Sequence, residues 1–188
     1  KKKKKIPPQG QDFCAGNIAL PSGIRLRARE LGLLPSLGID RVHVRRPVRV
    51  AILTTGDELI DPGLPPAPGK IFNTNRYTLH GLLHAMGCVV IDPGTIADTR
   101  EATEQALAEA AETADLVITS GGVSVGEEDH VRTSLEVIGQ VALWRLALKL
   151  GKPLAFGRIG TTPILGLPGN PAAVLVTFLM IGAPVIRP

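Results

Sequence analysis

The chain is predicted to be an α/β protein: a three-layer α/β/α arrangement around a mainly parallel sheet, preceded by a short β-rich segment. Three observations predict it. Short runs such as residues 48–53 and 116–119 are almost wholly apolar and rich in Val, Ile and Leu, as strands covered on both faces must be. Segments of helical period alternate with these runs. Polar loops bearing glycine follow several of the runs, as expected where parallel strands empty onto one edge.

Taken in order, residues 1–9 read as a tag-like or poorly defined lysine-rich lead. Residues 10–46 are turn-rich and short-stranded, with a helix over 31–37 limited by Pro35 and stopped by Gly38. They are too few to bury a core alone and are read as the remnant of an N-terminal β-rich domain. The α/β domain is placed at 47–182, and 183–188 is read as the start of a linker. Within the domain, 76–86 puts Leu79, Leu82, Leu83 and Met86 on one helical face, with Asn75 as its expected cap and Gly87 as its stop. A strand follows at 89–91. Asp98 and Glu101 have capping-box spacing and open a helix whose stripe is Leu107, Ala110, Ala111 and Ala114. After the strand at 116–119 come a helix over 129–138 and strands near 141–148, 154–156 and 163–167. A last helix starts at Asn170 with Pro171 in its first turn, and Gly182 and Pro184 weaken its end.

Composition narrows the function classes. Of the 188 residues 44% are hydrophobic, but only one Trp, one Tyr and four Phe occur, so the core is aliphatic. The formal charge of +4 comes from Lys1–Lys5; the remainder balances 16 basic against 17 acidic residues. No second basic cluster and few stacking aromatics argue against a nucleic-acid partner. No apolar run reaches membrane-spanning length. Cys14 and Cys88 lack metal-type spacing and read as reduced thiols of a cytoplasmic protein.

The chemistry-bearing segments follow predicted strands. The loop 119–129, TSGGVSVGEED, contains three glycines, whose lack of a Cβ lets backbone N–H groups approach an anion. Its acids Glu127, Glu128 and Asp129 would repel a bare phosphate, which points to an intervening divalent cation. Thr55, Gly56, Asp57 and Glu58 follow the first strand. Gly169, Asn170 and Pro171 follow the last, at a helix start that favours anions. Asn73 and Asn75 lie in the segment entering the second element's helix and can serve as caps or as ligand contacts. Lys149 and Lys152, beside Pro153, supply ammonium groups for oxyanions. Together these describe a phosphate-and-metal pocket with amides able to read a heterocycle. His80 and His84 have i, i+4 spacing but no third ligand, and His130 reads equally as surface or cap.

The motifs TTGDEL (54–59), SGGVSVGEEDHV (120–131), LKLGKP (148–153) and GLPGNP (166–171) resemble, in order and spacing, the molybdopterin molybdenumtransferases of the MoeA and gephyrin E-domain family. The glycine loop alone also resembles MogA/MoaB-type domains and CinA-like proteins. The resemblance implies a MogA/MoaB-like molybdopterin-binding fold and insertion of molybdate into adenylylated molybdopterin with release of AMP, assisted by Mg2+. It implies a homodimeric, cytoplasmic enzyme that can work with a MogA-like adenylyltransferase. Carried over, Glu58 and Asp129 are acidic cleft residues and metal ligands, and they join Lys149 and Lys152 as catalytic residues. Ser124, Lys149, Lys152 and Pro153 belong to the anion- and molybdate-binding region. Ser120, Gly121, Gly122 and Gly126 shape the pterin-phosphate loop, with Thr55, Gly56, Asp57, Asn73, Asn75, Gly169, Asn170 and Pro171 completing the ligand-binding set. The family's KPGKP turn reads KLGKP here. Family members carry further N- and C-terminal domains, so the chain is expected to be the central, ligand-binding part. The alternatives are a non-catalytic molybdopterin- or nucleotide-binding or scaffold module, and a MogA-like adenylyltransferase.

Overall fold

A computed structural model describes residues 10–121, 130–144 and 154–187. The chain divides into two compact units, Lys1–Arg45 and Arg46–Pro188. In the first, the described residues 10–45 hold one helix, α1 (Ala28–Ser36), and no strand. The helix starts where Glu30 Oε2 accepts the Arg27 backbone N–H at 2.9 Å. The β-rich character expected here is therefore corrected: a strand needs a partner for its ladder, and this segment spends its glycines on turns instead.

The second unit runs β1 (Arg49–Thr55), β2 (Leu59–Ile60), β3 (Ile71–Phe72), α2 (Thr74–Ala85), β4 (Val89–Ile91), β5 (Thr95–Ile96), α3 (Arg100–Thr113), β6 (Leu116–Ser120), α4 (His130–Ile138), β7 (Gln140–Trp144), β8 (Ala155–Ile159), β9 (Thr162–Leu167) and α5 (Pro171–Thr177). A π-helical turn, Phe178–Gly182, joins α5 to α6 (Ala183–Ile186). The main sheet is ordered β4-β1-β6-β9-β8-β7, with β5 also pairing β1. The pairs β1–β4, β1–β5, β1–β6 and β6–β9 are parallel; β9–β8 and β8–β7 are antiparallel.

Strand alternation sorts the core into two layers. Val50, Ile52, Ile118, Leu165 and Leu167 pack with Leu79 and Leu83 of α2 and Val174 of α5. Ala51, Leu53, Val117 and Ile164 pack with Leu107 and Ala110 of α3 and Leu135 of α4. Helices thus cover both faces of a mainly parallel sheet, as the sequence predicts.

The caps differ in detail. Asn73, not Asn75, caps α2, accepting the Arg76 N–H. Thr99, not Asp98, caps α3, accepting the Ala102 N–H. In both cases a nearby residue that can also cap occupies the position, a difference that sequence spacing does not resolve. The last helix loses its regular α spacing near Gly182 and Pro184, where the sequence predicts a weakened end, and continues as α6 with Ala183 buried and Ile186 packed on the core. Pro184 lacks an N–H and its ring would crowd the carbonyl four residues back, and the preceding turn adopts the wider π spacing.

Candidate functional site

Parallel pairing brings three strand ends to one edge. Thr54 stands beside Ser120, and Ser120 beside Leu167. The loops leaving β1, β6 and β9 therefore emerge together. A cavity of about 300 Å³ opens there. The ends of β1 and β6 contribute Thr55, Ser120 and Gly121. The small β2–β3 pair contributes Leu59, Ile71 and Phe72, with Glu58 beside it. Asn73, Thr74 and Asn75 come from the entry to α2, and Gly169, Asn170 and Pro171 from the entry to α5.

Gly121 is required by close approach. A Cβ there would stand 2.5 Å from the Thr55 carbonyl oxygen, and its φ of +91° suits glycine. Gly56, at φ +146°, is the other such position: a Cβ would meet the Glu58 carboxylate at 2.7 Å, so Glu58 folds back over this turn.

The two asparagines divide the work of holding the site. Asn73 is buried; its Nδ2 donates to Thr54 Oγ1 at 2.8 Å and Thr95 Oγ1 at 3.1 Å, while its Oδ1 caps α2. All its groups are used in fastening β1, β5 and α2. Asn75 Nδ2 donates to Ser120 Oγ at 2.9 Å and the Gly169 carbonyl at 2.6 Å, tying the ends of β6 and β9 to α2. Its Oδ1 is buried without a hydrogen-bond partner, as is Thr55 Oγ1. The amide nitrogen is spent on these two bonds, and the oxygen keeps its acceptor capacity unused.

Arg76, mostly buried, bonds both oxygens of Asp92 and reaches Asp61 at 2.9 Å, joining the loops after β2 and β4. The Asp92 carboxylate holds its guanidinium above the usual range. At the opposite edge, Asp115 accepts two hydrogen bonds from Arg46 and one from the Arg49 N–H. Arg46 first, and then that backbone bond, hold the Asp115 carboxyl at about 2.

Of the residues singled out in the sequence, Thr55, Glu58, Asn73, Asn75, Ser120, Gly121, Gly169, Asn170 and Pro171 line one cavity. Gly56 is not among the lining residues; it forms the turn over which Glu58 folds. Asp57 is not among the lining residues; its carbonyl accepts from Lys70 Nζ. Gly122, Ser124, Gly126, Glu127, Glu128, Asp129, Lys149, Lys152 and Pro153 lie outside the described residues. The α5 start has less to offer an anion than expected: Pro171 has no N–H, and Asn170 Oδ1 already accepts the Ala173 N–H. His80 and His84 are exposed, and no group of three His, Cys, Asp or Glu among the described residues could hold a metal. Glu58 is the one carboxylate lining the cavity among them. That fits Mg2+, which keeps several waters and takes one or two carboxylates plus phosphate oxygens. Sequence reasoning missed Leu59, Ile71, Phe72 and Thr74; for Ile71 and Phe72 the signal was a short apolar pair set inside the polar segment 69–75.

No helix among the described residues is long and apolar enough to cross a membrane. Residues 51–188 match the family model described as a probable molybdopterin binding domain. The chain is 46% identical over 177 residues to the molybdopterin molybdenumtransferase of Haemophilus influenzae, covering 94% of this chain and 44% of that protein. It is 35% identical to gephyrin of Dictyostelium discoideum, over 95% of this chain and 29% of that one. A solved structure of the Pyrococcus horikosii molybdopterin biosynthesis moea protein superposes with a TM-score of 0.83 at 31% identity, over 94% of this chain and 44% of that chain. A molybdenum cofactor biosynthesis protein B structure, at 19% identity and a TM-score of 0.56, shares the fold. The chain thus spans less than half the length of its curated relatives. With its sheet order, its strand-end cavity and these matches in agreement, the chain belongs to the molybdopterin-binding domain family.

Proposed function

We propose that the chain is the ligand-binding part of a molybdopterin molybdenumtransferase. Its substrates are adenylylated molybdopterin and molybdate, and AMP is released. The observation that carries the reading is the meeting of the β1, β6 and β9 ends around one cavity, fastened by Asn75. The Haemophilus influenzae relative, at 46% identity, supports the reaction class.

In this reading Gly121 lets the ligand approach backbone, and Asn75 fixes the cavity wall so that no reorganisation is needed when ligand binds. Glu58, with Asp129, would hold Mg2+, which would supply charge neutralisation to the pyrophosphate. Lys149 and Lys152 are assigned to neutralising phosphate and molybdate oxygens, Ser124 and Pro153 to the same anion-binding role, and Gly122 and Gly126 to the phosphate loop. The complete protein works as a cytoplasmic homodimer, supplied by a MogA-like adenylyltransferase.

The test is calorimetric titration with adenylylated molybdopterin and Mg2+, followed by chromatographic measurement of AMP after molybdate is added. Saturable, Mg2+-dependent binding that Asp129→Asn impairs without lowering the melting temperature is the expected result, with slow turnover. Absence of binding, or ATP-dependent adenylylation of molybdopterin in place of AMP release, overturns the reading.

A further inference from the structure

We infer that Arg76 is a positioning residue for the cavity. Its guanidinium is held by Asp92 at one end and grips Asp61 with the other, and so fixes the arm that carries Glu58. The inference rests on the reading above only in taking Glu58 as a working group of the site.

The arm itself has little to hold it. Residues 56–72 leave β1, form the two-residue β2–β3 pair and return to α2, and that pair stands outside the main sheet. None of these residues belongs to either apolar cluster of the core, and Ile71 and Phe72 are exposed. A strand pair so short is marginal alone. Some of its bonds tie the arm only to itself: the Ile71 N–H donates to the Glu58 carbonyl at 2.8 Å, and Lys70 Nζ donates to the Asp57 carbonyl. Core burial does not place the arm, so groups reaching it from the body of the domain must.

Those groups meet it at Ile60 and Asp61. The Asn73 N–H donates to the Ile60 carbonyl at 2.9 Å. Next to it, Arg76 Nη1 donates to Asp61 Oδ1 at 2.9 Å. Among the described residues this is the one ion pair between the arm and the body. Asp61 lies three residues from Glu58, whose carboxylate stands against Gly56 and lines the cavity.

Arg76 can act as a strut because its other end is fixed. Its Nε faces both oxygens of Asp92, at 2.9 and 2.8 Å, and Asp92 Oδ1 also accepts the Gly94 N–H at 3.0 Å. Asp92 lies between β4 and β5, and both strands pair with β1. Arg76 itself stands in the first turn of α2, just before the fully buried Leu79. The two carboxylates differ in solvent: the Asp92 side chain is 19% exposed and that of Asp61 43%. The Asp92 contact is therefore the anchor, and the wetter Asp61 contact is the one that releases. A guanidinium suits this work because its planar fork serves two carboxylates in fixed directions, which a lysine ammonium does not.

The test is Asp61→Ala, which leaves the Arg76–Asp92 contact in place. Amide exchange measured by NMR should quicken about threefold to tenfold at Ile71 and Asn73, with Leu79 and Leu83 unchanged. The Gly56 amide signal, which reports the Glu58 carboxylate beside it, should shift. The Mg2+ concentration giving half-maximal binding of adenylylated molybdopterin should rise about threefold to tenfold, with binding at saturating Mg2+ retained. Asp61→Asn keeps an acceptor oxygen and should bring exchange and Mg2+ requirement back to within about twofold of the parent. Arg76→Lys should reproduce Asp61→Ala. Unchanged exchange at Ile71 and Asn73 overturns the inference. Equal acceleration at Leu79 and Leu83 also overturns it, since Arg76 would then serve general stability. So does an arm that opens while the Gly56 signal stays in place. If the parent chain binds no adenylylated molybdopterin, the transferase reading fails alone; the exchange and Gly56 measurements need no ligand and still decide this inference.

Discussion

The parallel half of the sheet and its antiparallel border are built for different solvents. Along β1 and β6 nearly every residue is buried, whereas β8 alternates, with Phe156 and Arg158 outward. In the covered strands the polar side chains gather at the C-terminal ends: Thr54, Thr55, Thr119 and Ser120 are all buried there. A strand covered on both faces has room for polarity only where it stops. The cavity edge is therefore where the parallel half ends, and the border serves to close the sheet.

The most severe test of this contrast is Gly121→Ala. The methyl would collide with the Thr55 carbonyl at a φ that alanine resists. Stability should fall by about 3 kcal/mol in urea unfolding, with ligand binding lost. A change below about 0.5 kcal/mol would mean that the β1 and β6 ends are not tightly joined.

Asn73→Ala comes next. It removes the α2 cap and two hydrogen bonds to Thr54 and Thr95, so a loss of about 2–3 kcal/mol is expected. Asn75→Ala should cost less stability but more ligand affinity, which would separate fastening from recognition within one turn of helix.

A smaller effect belongs to the edge opposite the cavity. Asp115 has its carboxyl lowered from 3.8 to about 2, so its contribution is complete above the higher value and disappears as pH falls through the lower one. With Arg46 64% exposed, solvent screening limits this to about 1 kcal/mol. Asp115→Asn should flatten the acid limb of stability between about pH 4 and pH 2, followed by circular dichroism, and leave ligand binding at neutral pH untouched.

The smallest effect is expected at the border. Arg158 donates twice to Gln140 Oε1 across the β7–β8 pair, in full view of solvent. Arg158→Ala should change stability by no more than about 0.5 kcal/mol and leave ligand affinity unchanged. A loss of binding in this variant would break the division between the two halves.

The layers were legible in the sequence because burial is written into it. The stripe Leu79–Leu83 and the runs 48–53 and 116–119 have one physical reading, and they occupy the core as expected. Convergence of the loops was legible too, since parallel strands must release their chains on one edge. What could not be read was which of two nearby capable residues does a job. Asn73 and Asn75 are chemically identical, and only their neighbours in space assign one to the cap and the other to Ser120 and Gly169. Phe72 was hidden for a related reason. A two-residue strand has no periodicity, and its place on the cavity depends on pairing with Leu59–Ile60, twelve residues earlier in the chain.

The π-helical turn fixes a rotational phase. Its wider spacing absorbs a residue that an α-helix would place a full 100° further round. Because of it, Ala183 and Ile186 return to the same buried face as Val174 and Phe178. The number of residues between Asn170 and Ile186 is thereby set by angle as well as by distance. A surface loop can gain or lose a residue and still span its gap; here one residue fewer would swing the closing turn of the domain away from the core it covers.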